Sequence, residues 1–186
     1  QWLATPDHAL AEAVNGEVFR DDTGLLTERR RRLTEMPEDA LRKRLAGRLL
    51  LMGQSGQYNY GRCLKHGEEG AAMLALADFV RAAAGAIYLL NRRHAPYYKW
   101  LLRGMDALPL LSDMRPALEY LLTGENDESG RATKQGVAED ICAAVVRELK
   151  RQGLTDGDWD YLEPHAFEIM RRIENQQIRA MHVMEG

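Results

Sequence analysis

Aromatic and basic side chains gather at two places in this sequence. The first group is Gln57, Tyr58, Asn59, Tyr60, Arg62, Lys65 and His66; the second is Tyr97, Tyr98, Lys99, Trp100 and Arg103. Tyr and Trp rings stack on planar groups, while Arg and Lys hold phosphate or carboxylate. Gln57 and Asn59 add amide donors and acceptors able to orient a polar ligand. The same rings would serve equally well as core, with their polar tips at the surface. Geometry separates the two readings. Convergence on one cleft indicates binding, whereas burial of every ring without a cavity indicates a scaffold.

Other chemical patterns fail on a specific residue. The run from Gly56 to Cys63 has the spacing of a phosphate-binding loop, but Arg62 stands where Lys belongs and Cys63 where a Mg²⁺-binding hydroxyl belongs. Asp156, Asp158 and Asp160 imitate the first ligands of a calcium loop, yet Tyr161 replaces its glycine and Phe167 its bidentate glutamate. Those acids are expected to cap the last helix instead. The histidines at 8, 66, 94, 165 and 182 show no paired-ligand spacing, so no metal site is assigned. RNA-cleaving HEPN-type bundles carry Arg, four to six residues, then His. Arg62 to His66 leaves three and Arg179 to His182 leaves two, a weak match. No catalytic residue is assigned.

The segment between the two groups must position them. Ala71 to Leu90 is twenty residues with only Asp78 and Arg81 charged, and eight of the twenty are Ala. A helix apolar on nearly every face belongs in the middle of a bundle. Its length of about 30 Å would also span a bilayer, but two central charges oppose that. No membrane partner is expected. Asp78 and Arg81, three apart, are placed to pair on one face. One ligand can touch both aromatic-basic groups only if the chain doubles back along this helix.

The rest of the chain reads as helices separated by turns. Thr5-Pro6-Asp7 starts one, and Asn15-Gly16 stops it. Val18 to Gly24 is extended and turn-like. Leu25 to Met36 is helical, with Arg29, Arg30, Arg31 and Arg32 covering every face of a turn. Met36-Pro37-Glu38-Asp39 starts a helix striped by Leu41, Leu45, Leu49 and Met52, with Arg42, Lys43, Arg44 and Arg48 on its other sides. Gly53 and Gly56 are expected to kink it. A short helix runs from Tyr97 to Leu108, and another segment ends at Thr123-Gly124. Glu125 to Gly130 reads as a mobile loop. Val137, Ile141, Val145 and Leu149 stripe a helix stopped by Gly153. Pro164 starts the last, with Phe167, Met170 and Ile173 inward. No alternating strand pattern occurs. The fold expected is an all-α bundle of six to eight helices around a buried central helix.

Composition is that of an ordinary globular domain. A net charge of −3 over 186 residues leaves no basic footprint for general nucleic-acid binding. Cys63 and Cys142 lie in helix-like sequence without a CxxC pair, which fits free thiols and a cytoplasmic location. The chain opens at Gln1 rather than Met.

Three blocks carry a family resemblance: GQYNYGRCLKHGE, YLLNRRHAPYYKWLLR, and the late IENQQIRAMHVMEG. With the apolar helix between the first two, they resemble the bacterial family catalogued as domain of unknown function 4037. In that family a helical region follows an N-terminal nucleotidyltransferase domain. The arrangement is similar to kanamycin-type nucleotidyltransferases, whose helical C-terminal domain helps build the acceptor pocket. The catalytic signature of such enzymes, Gly-Ser and then Asp-x-Asp holding Mg²⁺, is absent here.

The resemblance therefore implies a helical substrate-binding and domain-packing module, residues 1–186, forming the C-terminal part of a longer two-domain protein. Residues 1–35 would pack near the nucleotidyltransferase domain of the same chain. Mg²⁺ and NTP belong to that parent protein, and no cofactor is expected in this part. The assigned substrate-binding residues are Gln57, Tyr58, Asn59, Tyr60, Arg62, Tyr98, Lys99, Trp100 and Arg103, taking a small-molecule or nucleotide ligand. The alternatives are a non-catalytic interaction or dimerisation module, with a homodimer as its partner state, and the weaker HEPN-like bundle.

Overall fold

The computed structural model of the protein describes residues 2–185, and every regular element among them is helical. In chain order these are α1 (Asp7–Val14), α2 (Leu25–Thr34), α3 (Glu38–Met52), a π-helical segment (Gly53–Tyr60), α4 (Gly61–Lys65) and α5 (Glu69–Leu90). There follow α6 (Tyr98–Leu101), two 3₁₀ turns (Arg103–Ala107 and Ser112–Met114), α7 (Arg115–Thr123), α8 (Glu128–Arg151), α9 (Leu162–Arg171) and α10 (Gln176–Ala180). Seven of these helices have eight residues or more, within the expected six to eight.

Helix α5 is the buried centre. Leu76, Phe79 and Ile87 are fully enclosed, and α3, α7, α8, α4 and the π segment pack around the helix. It is long and apolar enough to cross a membrane, but 67% of its most apolar window is covered by other parts of the protein, the situation of a core helix. Asp78 and Arg81 are both exposed and do not pair with each other. Arg81 faces a cleft that it lines together with Arg44 and Arg48 of α3.

Helix α3 departs most from the simple pattern. Its stripe of Leu41, Leu45, Leu49 and Met52 is fully buried as the spacing requires. Its basic residues, expected on the outer sides, are drawn in as well. Lys43 is fully buried, with its Nζ donating to the carbonyl of His182, and burial lowers its pKa. Arg44 is 5% exposed and donates to Asp7 and to the carbonyls of Trp2 and Thr5. The two chain ends thus cover α3 and supply oxygen partners to its cations.

Gly53 and Gly56 do not break the helix. The helix continues through them in π register, with Gly53 at φ −59°, ψ −48°. A π segment widens the helix locally. Gly56 uses that width to approach Phe79 so closely that a Cβ would sit 2.3 Å from the ring.

Three further expectations change. The stretch from Glu125 to Gly130 is not a loop throughout: Asp127 accepts from Gly130 N–H at 2.7 Å and starts α8 at Glu128. Phe167 lies 42% exposed rather than inward, while Met170 and Ile173 are buried. The acids before α9 do not cap it. Asp156 pairs with Arg172 and Asp158 with Lys150, pinning the turn to α9 and α8. Helix α8 stops where expected, with Gly153 at φ +67° and Leu154 N–H returning to the carbonyl of Leu149.

Candidate functional site

A cation-rich cleft of about 390 Å³ lies where the N-terminal segment crosses the α3–α5 pair. Arg44 and Arg48 are one turn apart on α3, and Arg81 and Gly85 one turn apart on α5, so each pair shares a helical face. Gly85 lets the two helices close up: a Cβ there would lie 3.0 Å from Arg48 Nε. The segment from Leu3 to His8 forms one wall, and Ala95 to Tyr98 with Leu101 forms another.

Charge in this cleft is unbalanced. Three guanidinium groups line it against one carboxylate. Asp7 is the counter-ion for two of them, pairing with Arg44 and lying 3.0 Å from Arg48. A buried cation requires such a partner. Arg81 is exposed and makes no side-chain hydrogen bond or ion pair among the described residues. Arg44 Nε is buried with no partner among the described residues. Rings complete the wall: Tyr97 and Tyr98 lie 4.5 Å apart, and His8 meets Tyr97 edge-on at 5.7 Å. Such a cleft can hold a phosphate or carboxylate beside an aromatic surface.

The residues assigned from sequence separate into two places. Gln57 joins three elements, donating to Glu139 at 2.7 Å and the Asp160 carbonyl at 3.0 Å while accepting from Leu162 N–H at 3.0 Å. Tyr60 is fully buried, with its hydroxyl 3.2 Å from Asn126 and its pKa raised by burial. Arg62 donates to Tyr58 at 2.8 Å and sits 5.5 Å from the centre of that ring. Asn59 is exposed. This group lies along the N-terminal half of α5, with Gly56 against Phe79.

The second group lies at the other end of α5, where Tyr88 donates to the carbonyl of Leu101. Tyr98 lines the arginine cleft, and Trp100 lines a larger cavity on the other side of Tyr97. Lys99 is exposed, and Arg103 rests 5.8 Å from the centre of the Trp100 ring. Neither the cleft nor this cavity is lined by members of both groups. The rings are neither all buried nor gathered at one cleft.

Sequence reasoning missed Asp7, His8, Arg44, Arg48 and Arg81 as neighbours. The usable signals were the i+4 spacings Arg44–Arg48 and Arg81–Gly85. Nothing in the sequence pattern points to Asp7, 37 residues from Arg44. Among the described residues no three His, Cys, Asp or Glu side chains gather as a metal site.

Residues 2–101 match the family model described as domain of unknown function DUF4037. That span contains every residue lining the arginine cleft. No curated protein and no solved structure matches the chain.

Proposed function

The chain belongs to the DUF4037 family, and from that premise we propose that it is a helical, non-catalytic module of a bacterial, cytoplasmic nucleotidyltransferase. Its task is to hold an anionic acceptor or nucleotide group and to pack against the catalytic domain, which would supply Mg²⁺ and the NTP site. The carrying observation is the arginine cleft, with three guanidiniums against one carboxylate and Arg81, without a partner among the described residues, beside paired tyrosine rings. Of the residues assigned from sequence, Tyr98 takes part directly in this cleft.

The packing half of the reading is supported by α2. None of its residues is buried, and Phe19, Leu25 and Leu26 are 94%, 59% and 50% exposed. Exposed apolar groups of this kind suit a partner surface.

Two measurements test the proposal. The coding sequence upstream of Gln1 should carry a Gly-Ser and Asp-x-Asp block; its absence overturns the nucleotidyltransferase assignment. The 186-residue chain alone, given Mg²⁺ and each NTP, should release no pyrophosphate above blank. Turnover that follows the protein through purification would overturn the non-catalytic role.

A further inference from the structure

A second cavity, of about 740 Å³, opens beyond Pro96 and Tyr97, between α1 and the C-terminal end of α5. Its size is that of a small-molecule pocket. Three rings line it: Tyr88, Tyr97 and Trp100. Trp100 is 56% exposed and Tyr97 43% exposed, so both offer ring surface to a bound molecule.

Two polar side chains specify what such a molecule must carry. His94, only 8% exposed, also lines the cavity. Its Nε2 lies 2.7 Å from the carbonyl of Leu33. A carbonyl only accepts, so Nε2 carries the proton and the neutral tautomer leaves Nδ1 as an acceptor. That Nδ1 is buried with no partner among the described residues. An unpaired buried acceptor is disfavoured, and a ligand N–H would satisfy it once the ring turns toward the cavity it lines. Glu12, on the α1 side, offers a second acceptor.

Arg93 supplies the opposite chemistry. It lines the cavity, is exposed, and makes no side-chain hydrogen bond or ion pair among the described residues. Its neighbour Arg92 is instead held by Glu38. The Arg93 charge reaches the Tyr88 hydroxyl, opposing the burial that pushes that group up to about 12. Tyr88 therefore keeps its proton and donates it to Leu101. Arg93 is left as the open cation of this space.

We propose that this cavity binds a planar heteroaromatic ring bearing an N–H donor and an anionic group, the class to which aminopurine nucleotides belong. Trp100 and Tyr97 stack the ring, His94 Nδ1 accepts from its amino group, and Arg93 neutralises the anion. The site shares Pro96 and Tyr97 with the arginine cleft but none of its cations. The inference therefore stands or falls apart from the proposed module role.

Calorimetric titration of the chain with adenosine 5′-monophosphate tests it. Trp100→Ala should weaken binding by about tenfold or more, the usual effect of removing a stacking platform, and Trp100→Phe should retain most of the affinity. Arg93→Ala should weaken the nucleotide by about tenfold and leave adenosine unchanged, since only a charge-assisted bond is removed. Purine riboside 5′-monophosphate, which lacks the amino group, should bind about fivefold more weakly because His94 Nδ1 stays unpaired. Both substituted positions are exposed, so melting temperatures should match the parent chain. No binding at millimolar nucleotide overturns the proposal. So does equal affinity for the variants, or for the analogue without the amino group. Sensitivity to Arg81→Ala but not to Trp100→Ala would also overturn it, placing the nucleotide in the arginine cleft by its phosphate.

Discussion

Gln57 packs beside the N-terminal half of α5, Arg81 opens on the cleft that extends toward its C-terminal end, and the two differ in what holds them. Gln57 makes three hydrogen bonds, to α8, to the turn before α9 and to the first residue of α9. Around it Tyr60 is buried and Arg62 lies on Tyr58. Arg81 makes no such bond among the described residues, and the rings near it lie open beside a cleft. Both places are rich in aromatic and polar residues. Polar atoms already satisfied within a fold hold its elements together, and those left over are the ones free to meet a ligand.

Substitutions at the two places should therefore separate stability from binding, and the largest effect should come from the residue that does both jobs. Asp7→Ala leaves Arg44 buried without its counter-ion and should cost about 3–5 kcal/mol. A loss under about 1 kcal/mol in chemical denaturation would mean that Arg44 swings out to water. Leu76→Ala and Ile87→Ala, one toward each end of the central helix, should each cost about 2–5 kcal/mol. If only one of them does, the core is not continuous along α5.

Glu168 sharpens the comparison through pH. Burial raises its pKa, but bonds from Thr155, Asp156 N–H, Arg172 and Gly157 N–H outweigh this and bring it to about 2. It thereby holds the turn whose Asp160 carbonyl meets Gln57. A carboxylate with depressed folded pKa stabilises above its unfolded value of 4.5 and loses that contribution as pH falls toward 2. Glu168→Gln should thus cost about 1–3 kcal/mol at neutral pH. The gap from the parent should close on acidification across that window. A gap independent of pH would mean that Glu168 acts only by packing.

The smallest stability effects discriminate best. Gln57→Ala should lower stability by about 1 kcal/mol and leave binding of inorganic pyrophosphate unchanged. Arg81→Ala should leave stability within about 0.5 kcal/mol and weaken pyrophosphate binding by about tenfold. The reverse pattern would exchange the roles of the two places.

Periodicity made the core legible. The stripes Leu41–Met52 and Val137–Leu149 and the apolar run into Leu90 depend on neighbours three and four apart, which a sequence displays directly. The π segment was not legible, because its register depends on Phe79 fitting against Gly56, a contact across 23 residues. Arg44 and Lys43 read as outward cations because their oxygen partners come from residues 2–7 and 182. Phe167 read as inward by spacing alone, although α9 packs through Leu162, Ala166 and Ile169. The aromatic-basic groups were legible as composition. Which of their polar atoms remain open was not, since that is settled by partners distant in the chain.

The N-terminal segment is tied down at its beginning and at α1, and α2 beyond it buries nothing. Trp2 stacks on His94 and Asp7 reaches α3, while the chain between α1 and Glu38 is mostly exposed, held by Arg30 on the carbonyls of Val14, Asn15 and Gly16 and by the buried Met36. Closing that long loop costs entropy, repaid by a small number of contacts. The N-terminal segment with α1 and α2 is therefore expected to open before α3 and α5 do. Backbone amides of α1 should exchange with solvent deuterium well before those of α5. An anion that bridges Arg81 to the Leu3–His8 wall would slow that exchange, because its site exists only while that wall is docked.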